Sequence, residues 1–140
     1  MELKNFGSIL TFSAELEAGD QAFYRAALEN PAFGDLKPAL EKIAKTLAKN
    51  EKNMLRVRRE NVTEMILEPI HDLRSEDFDL DRADPGSMSP EEFKEAALGV
   101  EDSAIEFYGV AAEKIEALKE VSRALKQVAK KRTANKKALA

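Results

Sequence analysis

The chain has 140 residues, 44% apolar and 34% charged, with a net charge of −4. That length holds one domain with a real core, in a balance ordinary for soluble proteins. It contains no cysteine, which excludes disulfides, thiolate catalysis, iron–sulfur clusters and Cys-ligated zinc, and its one histidine, His71, excludes any site built on two imidazoles.

The first predicted helix spans about residues 5–29 and ends at "ENPAFG", where Pro31 and Gly34 break the chain. The second starts near Leu36 and runs into "RENVTEMILEP", stopping before Pro69. Between Pro69 and Ser89 lies an acidic 21-residue connection holding Pro69, Pro85 and Gly86. It is long for neighbouring helices. Extended, it reaches about 70 Å, more than the roughly 45 Å of a 30-residue helix. Helices 2 and 3 can therefore run parallel, joined by one long crossover. The third helix opens at "SPEEF": Ser89 suits the N-cap, Pro90 the first position, and Glu91 and Glu92 the N-terminal dipole. The fourth begins near Leu118, after a break that no Gly or Pro marks, and continues almost to the end. Short connections make pairs 1–2 and 3–4 antiparallel. The expected fold is all-α: a single 1–140 domain, a four-helix bundle with one long crossover.

Charge is uneven along this layout. Residues 119–140 hold eight of 22 basic residues and one of 26 acidic ones, a net of +7 against −11 for the rest. A final helix favours Lys and Arg near its C-terminus. It can also lie against acidic neighbours. No aromatic interleaves this tail, so nucleic acid is not the expected partner. "RVRRE" (56–60) reads as a solvated helix face or a partner of the acidic crossover. His71 reads as an exposed loop residue, and the apolar "TEMILEPI" (63–70) as packing under the crossover or a dimer contact. No run approaches the ~18 apolar residues of a membrane span. "MELKNFGSIL" lacks the regions of a signal peptide, so the expected location is cytoplasmic. Phosphate loops, Ser–His–Asp sets and zinc spacings do not appear.

The core-facing stripes hold the informative residues. Helix 1 places Glu17 seven residues before Tyr24, and helix 3 places Glu101 seven before Tyr108. Asp20 shares the first stripe. Helices 2 and 4 place Asn50 and Asn135 on otherwise apolar stripes, and helix 4 adds Arg132. A shift of 84 lays Glu17 and Tyr24 on Glu101 and Tyr108; a shift of 85 lays "LEKIAKTLAKN" (40–50) on "LKQVAKKRTAN" (125–135). This pattern reads as a duplicated helical hairpin. A buried carboxylate costs several kcal/mol unless it is paired or metal-bound, so Glu17 and Glu101 need a partner.

With these residues in view, the chain resembles ferritin-like proteins of the rubrerythrin type over nearly its whole length. In that family a Glu from each of helices 1 and 3, in patterns such as E-x-x-x-x-x-x-Y, binds two irons. Helices 2 and 4 each supply E-x-x-H. The resemblance puts Glu17 and Glu101 at the single glutamates. It puts "IAKTLAKN" and "VAKKRTAN" on the E-x-x-H segments, with Leu47 and Arg132 in the glutamate places and Asn50 and Asn135 in the histidine places. The family's rubredoxin-like extension has no cysteine here to build it. The expectation is therefore a degenerate site with no cofactor, in a non-catalytic binding or interaction protein that forms a homo-oligomer, a dimer. Arg132 is expected to place its guanidinium where metal would sit and to bond Glu17, Glu101 or both. Tyr24 and Tyr108 are expected to be half-buried aromatics packed between helices, with hydrogen bonds to the same polar layer as the alternative. The alternative is a metal-binding oxidoreductase or metal-handling protein. It would hold iron or manganese, or calcium or magnesium, on Glu17, Asp20, Glu101 and the Asn oxygens.

Overall fold

A computed structural model describes residues 1–61 and 70–140. Four helices account for most of it: α1 (Phe6–Leu28), α2 (Lys37–Glu60), α3 (Pro90–Lys114) and α4 (Lys119–Leu139). α1 pairs closely with α2 and α3 with α4, while α2 also meets α4 and α1 meets α3.

Local chemistry sets most of the ends. Asn5 caps α1 by accepting from the Ser8 N–H at 2.8 Å, and Ser8 returns a bond to the Asn5 N–H. Ser89 and Glu92 form the same reciprocal box at the start of α3, with Pro90 in its first turn. The "NPAFG" break is a short 3-10 turn over Pro31–Leu36, tied by Asn30. The α3–α4 break has no such signal. α3 stops where Ile115 leaves helical geometry, and α4 resumes after Leu118 without a side-chain cap. Ile115 and Val121 are both buried, so packing makes this break. α2 ends at Glu60, with the Asn61 N–H bonded to the Val57 carbonyl at 3.1 Å. That is earlier than the stop before Pro69 read from the sequence. "TEMILEPI", up to Pro69, lies outside the described residues.

The crossover travels the bundle's length. Near its start it pairs with the N-terminus: the Leu3 N–H donates to Leu73 and the Ile70 N–H to Lys4, at 2.7 and 2.6 Å. In mid-course Phe78 packs edge-on against Phe107, and the Phe78 carbonyl accepts from Ser103 Oγ. At its end Asn30 donates to the carbonyls of Pro85 and Met88 at 3.0 and 3.1 Å. The segment thus runs from one end of α1 to the other. α3 starts beside the end of α1 and runs back antiparallel to it, parallel to α2. His71 is exposed, and its carbonyl accepts from Lys114 Nζ. The "RVRRE" patch is served locally among the described residues. Arg56 bonds Asn53 and faces Glu60, and Arg58 donates to the Gly7 carbonyl rather than to the crossover.

Two apolar clusters fill the bundle. One gathers Phe6, Ile9, Leu10, Phe12, Phe107 and Leu125 with their neighbours; the other gathers Phe23, Leu40, Leu47, Phe93 and Leu139 with theirs. The polar residues of the core stripes lie between them.

Helix glycines here make a test of packing. An added Cβ would meet nothing within 4 Å at Gly99 or Gly109 on α3, but at Gly19 on α1 it would lie 2.9 Å from the Arg82 guanidinium. Gly99→Ala and Gly109→Ala are expected to stabilise by about 0.5–1 kcal/mol each. Gly19→Ala is expected to forfeit that gain. Urea unfolding of the three variants compares them; an equal gain at Gly19 would show that Arg82 is not held there.

Candidate functional site

The site grows from helix spacing. Positions three or four apart share a face, so α1 brings Glu17, Asp20 and Tyr24 inward, α3 brings Glu101 and Tyr108, α2 brings Leu47 and Asn50, and α4 brings Arg132 and Asn135. All nine are buried, with Glu17, Tyr24, Leu47, Glu101, Tyr108 and Arg132 wholly so. The structure therefore brings every sequence-predicted site residue inside the bundle.

Arg132 is the hub. Its Nη1 donates to Glu101 Oε2 at 2.8 Å. Its Nη2 lies 3.2 Å from Glu17 Oε2 and also bonds Asp20. The third carboxylate was not among the partners read from the sequence, which named Glu17 and Glu101 alone. Asp20 has a second cation, Arg82, whose Nε donates to Oδ1 at 2.6 Å from the crossover. Sequence reading missed Arg82. The signal for it was Gly19, a mid-helix glycine beside Asp20, where the guanidinium comes too close for a side chain.

The tyrosines correct an expectation. They are fully buried, and each hydroxyl donates across the bundle to the other half's carboxylate. Tyr24 donates to Glu101 at 2.8 Å and Tyr108 to Glu17 at 2.9 Å. The antiparallel run of α1 against α3 makes this crossing possible. A buried hydroxyl needs a partner, and the carboxylate seven residues along the facing helix supplies it. Asn50 completes Glu17 by donating to Oε1 at 2.8 Å. Asn135 is near enough to Glu101 to favour its ionised form, although its Nδ2 makes no hydrogen bond of normal geometry.

The two halves are thus related as the sequence repeat suggests, with two departures in charge. Arg132 stands where the other half has Leu47, and Asp20 where it has Ala104. These two departures contact each other. One added cation and one added anion balance inside the same layer, as a buried charge requires.

Burial raises the Glu17 carboxyl from 4.5 to about 7, against the opposing pull of Arg132 and Asn50. Burial also raises Glu101, opposed by Arg132 and Tyr24. Burial and the facing carboxylates push both tyrosine hydroxyls up, so they remain protonated donors. Desolvation pulls Arg132 down, but Glu17, Glu101 and Asp20 together raise it further, so it stays charged.

A two-metal layer of the resembled kind needs carboxylate and imidazole donors from α2 and α4. Those helices offer an alkyl chain, a guanidinium and two amides. A guanidinium cannot ligate a metal, and it occupies the space between the carboxylates that a cation would take. Among the described residues, no group of three or more His, Cys, Asp or Glu is placed to hold a metal ion. The donor set does not fit two iron ions.

No helix among the described residues is long and apolar enough to cross a membrane. A family model described as a ferritin-like domain matches residues 7–135. No curated protein and no solved structure matches the chain significantly.

Proposed function

Since the chain belongs to the ferritin-like domain family over residues 7–135, we propose that it is a rubrerythrin-type member in which an internal ion-pair layer has replaced the metal centre. One observation carries this reading. The Arg132 guanidinium is bonded to Asp20 and Glu101 and lies 3.2 Å from Glu17, in the middle of the layer that the resemblance assigns to metal. On this reading the bundle is a non-catalytic binding or interaction protein that self-associates, as the resemblance implies. The glutamate–tyrosine pairs connect α1 to α3 without any metal.

The test is metal content. Untagged protein is loaded anaerobically with Fe(II), and separately with Mn(II), then desalted and measured by mass spectrometry. The expected result is no retained metal. A second protein carries Leu47→Glu, Asn50→His, Arg132→Glu and Asn135→His, which writes E-x-x-H into both helices; it is expected to retain metal. Near-stoichiometric metal in the unaltered chain, lost in Glu17→Ala/Glu101→Ala, would overturn the reading in favour of a metal-handling oxidoreductase.

A further inference from the structure

Charge is sorted by helix. α2 carries eight Lys or Arg against three Asp or Glu, and α4 eight against one. α3 carries seven acidic residues against two basic, α1 three against one, and the 70–89 segment six against two. Because α2 meets α4 and α1 meets α3, this sorting becomes spatial. The 70–89 segment adds to the acidic side, since Arg82 reaches Asp20 on α1 and Phe78 accepts from Ser103 on α3. One side of the bundle is net +11 with buried Arg132 set aside. The opposite side is net −8 with buried Glu17, Asp20 and Glu101 set aside.

Among the described residues these charges are little neutralised. Lys136 pairs with Asp102 at 2.7 Å, but Lys45, Lys49, Arg123 and Lys130 form no ion pair with a described acidic residue. All four are exposed, as are Asp79, Asp81, Glu95 and Glu106 on the acidic side. A two-fold contact through either side would set like charges face to face, which is unfavourable. Contact through these sides must be head to tail.

We propose that the basic α2–α4 side docks on the acidic side of a second copy, formed by α3 and the 70–89 segment. The complement to each surface lies on the same chain, at the opposite side. Other occupants fit less well. Neither α2 nor α4 carries an aromatic residue on which bases could stack. Among the described residues, the exposed large apolar side chains are Met1, Leu55 and Leu80, too few for a membrane-inserting patch. This proposal deepens the interaction reading but does not depend on the metal layer, so metal loading and the experiment below can fail separately.

Sedimentation velocity of the full chain tests it. Salt is varied from about 0.01 M to about 1 M, which shortens the screening length from about 30 Å to about 3 Å. Assemblies that grow with concentration at low salt and dissolve to monomer at high salt are expected. Two charge-reversed proteins supply the decisive comparison, each checked for helix content by circular dichroism. Lys45→Glu/Lys49→Glu/Arg123→Glu/Lys130→Glu cuts the basic side from +11 to +3 and keeps the acidic side; Asp79→Lys/Asp81→Lys/Glu95→Lys/Glu106→Lys cuts the acidic side from −8 to 0 and keeps the basic side. Each alone is expected to be monomeric at low salt, and an equimolar mixture to associate. Monomeric wild type at low salt overturns the proposal, as does assembly that survives in either variant alone. Duplex DNA retained by a wild type that does not self-associate would assign the basic side to nucleic acid instead.

Discussion

Arg132→Leu is expected to lower stability by about 3–5 kcal/mol, which corresponds to a fall in Tm of roughly 10–20 °C. The substitution deletes the cation shared by Glu17, Asp20 and Glu101 and leaves three buried carboxylates against an alkyl chain. Loss of one partner from a buried ion pair is far more damaging than loss of the whole set. Combining Arg132→Leu with Glu17→Gln, Asp20→Asn and Glu101→Gln is therefore expected to recover much of the loss. Arg132→Lys should fall between wild type and Arg132→Leu, because an ammonium keeps the charge but not the planar fork that reaches three carboxylates at once. Thermal unfolding followed by circular dichroism measures all three. An unchanged Tm for Arg132→Leu would mean that the guanidinium contributes nothing net to the folded state.

Stability should also fall as pH rises toward neutrality, and Glu17 should be the main cause. Its carboxyl titrates at about 7 in the folded chain against 4.5 ordinarily. A raised acid pKa means that the folded state holds its proton more tightly than the unfolded state. The stabilising contribution is complete below pH 4.5 and is lost as pH rises through 7. At about 1.4 kcal/mol per unit, this amounts to about 3 kcal/mol. Glu101, shifted in the same direction, adds to the trend. Urea unfolding between pH 5 and pH 8 is the measurement. Glu17→Gln should flatten the profile by about 3 kcal/mol. An equally steep profile in that variant would assign the effect to other groups.

Much of the fold was legible in the sequence because its signals are local. Ser89 announces the start of α3 through its bond to Glu92 three positions on, and Pro31 opens the turn that follows α1. The crossover's length forced a path along the bundle. Stripe periodicity put Glu17, Asp20, Glu101, Asn50, Asn135 and Arg132 inside, because a helix fixes which positions share a face. Legibility failed where the deciding partner is distant in sequence. The end of α3 at Ile115 follows from what that side chain packs against, not from a breaker residue. Arg82 reaches Asp20 from 62 residues away.

By itself, then, the sequence determined four helices, their connections and a set of polar residues at core positions, since these depend on short-range sterics, capping and periodicity. Only the tertiary structure decided which polar groups meet. Tyr24 bonds Glu101 and Tyr108 bonds Glu17 because α1 and α3 lie antiparallel at one distance, which no single helix specifies. Arg132 became the common partner of three carboxylates for the same reason. Spacing along a helix fixes a direction, but the bond between two such directions depends on how the helices pack.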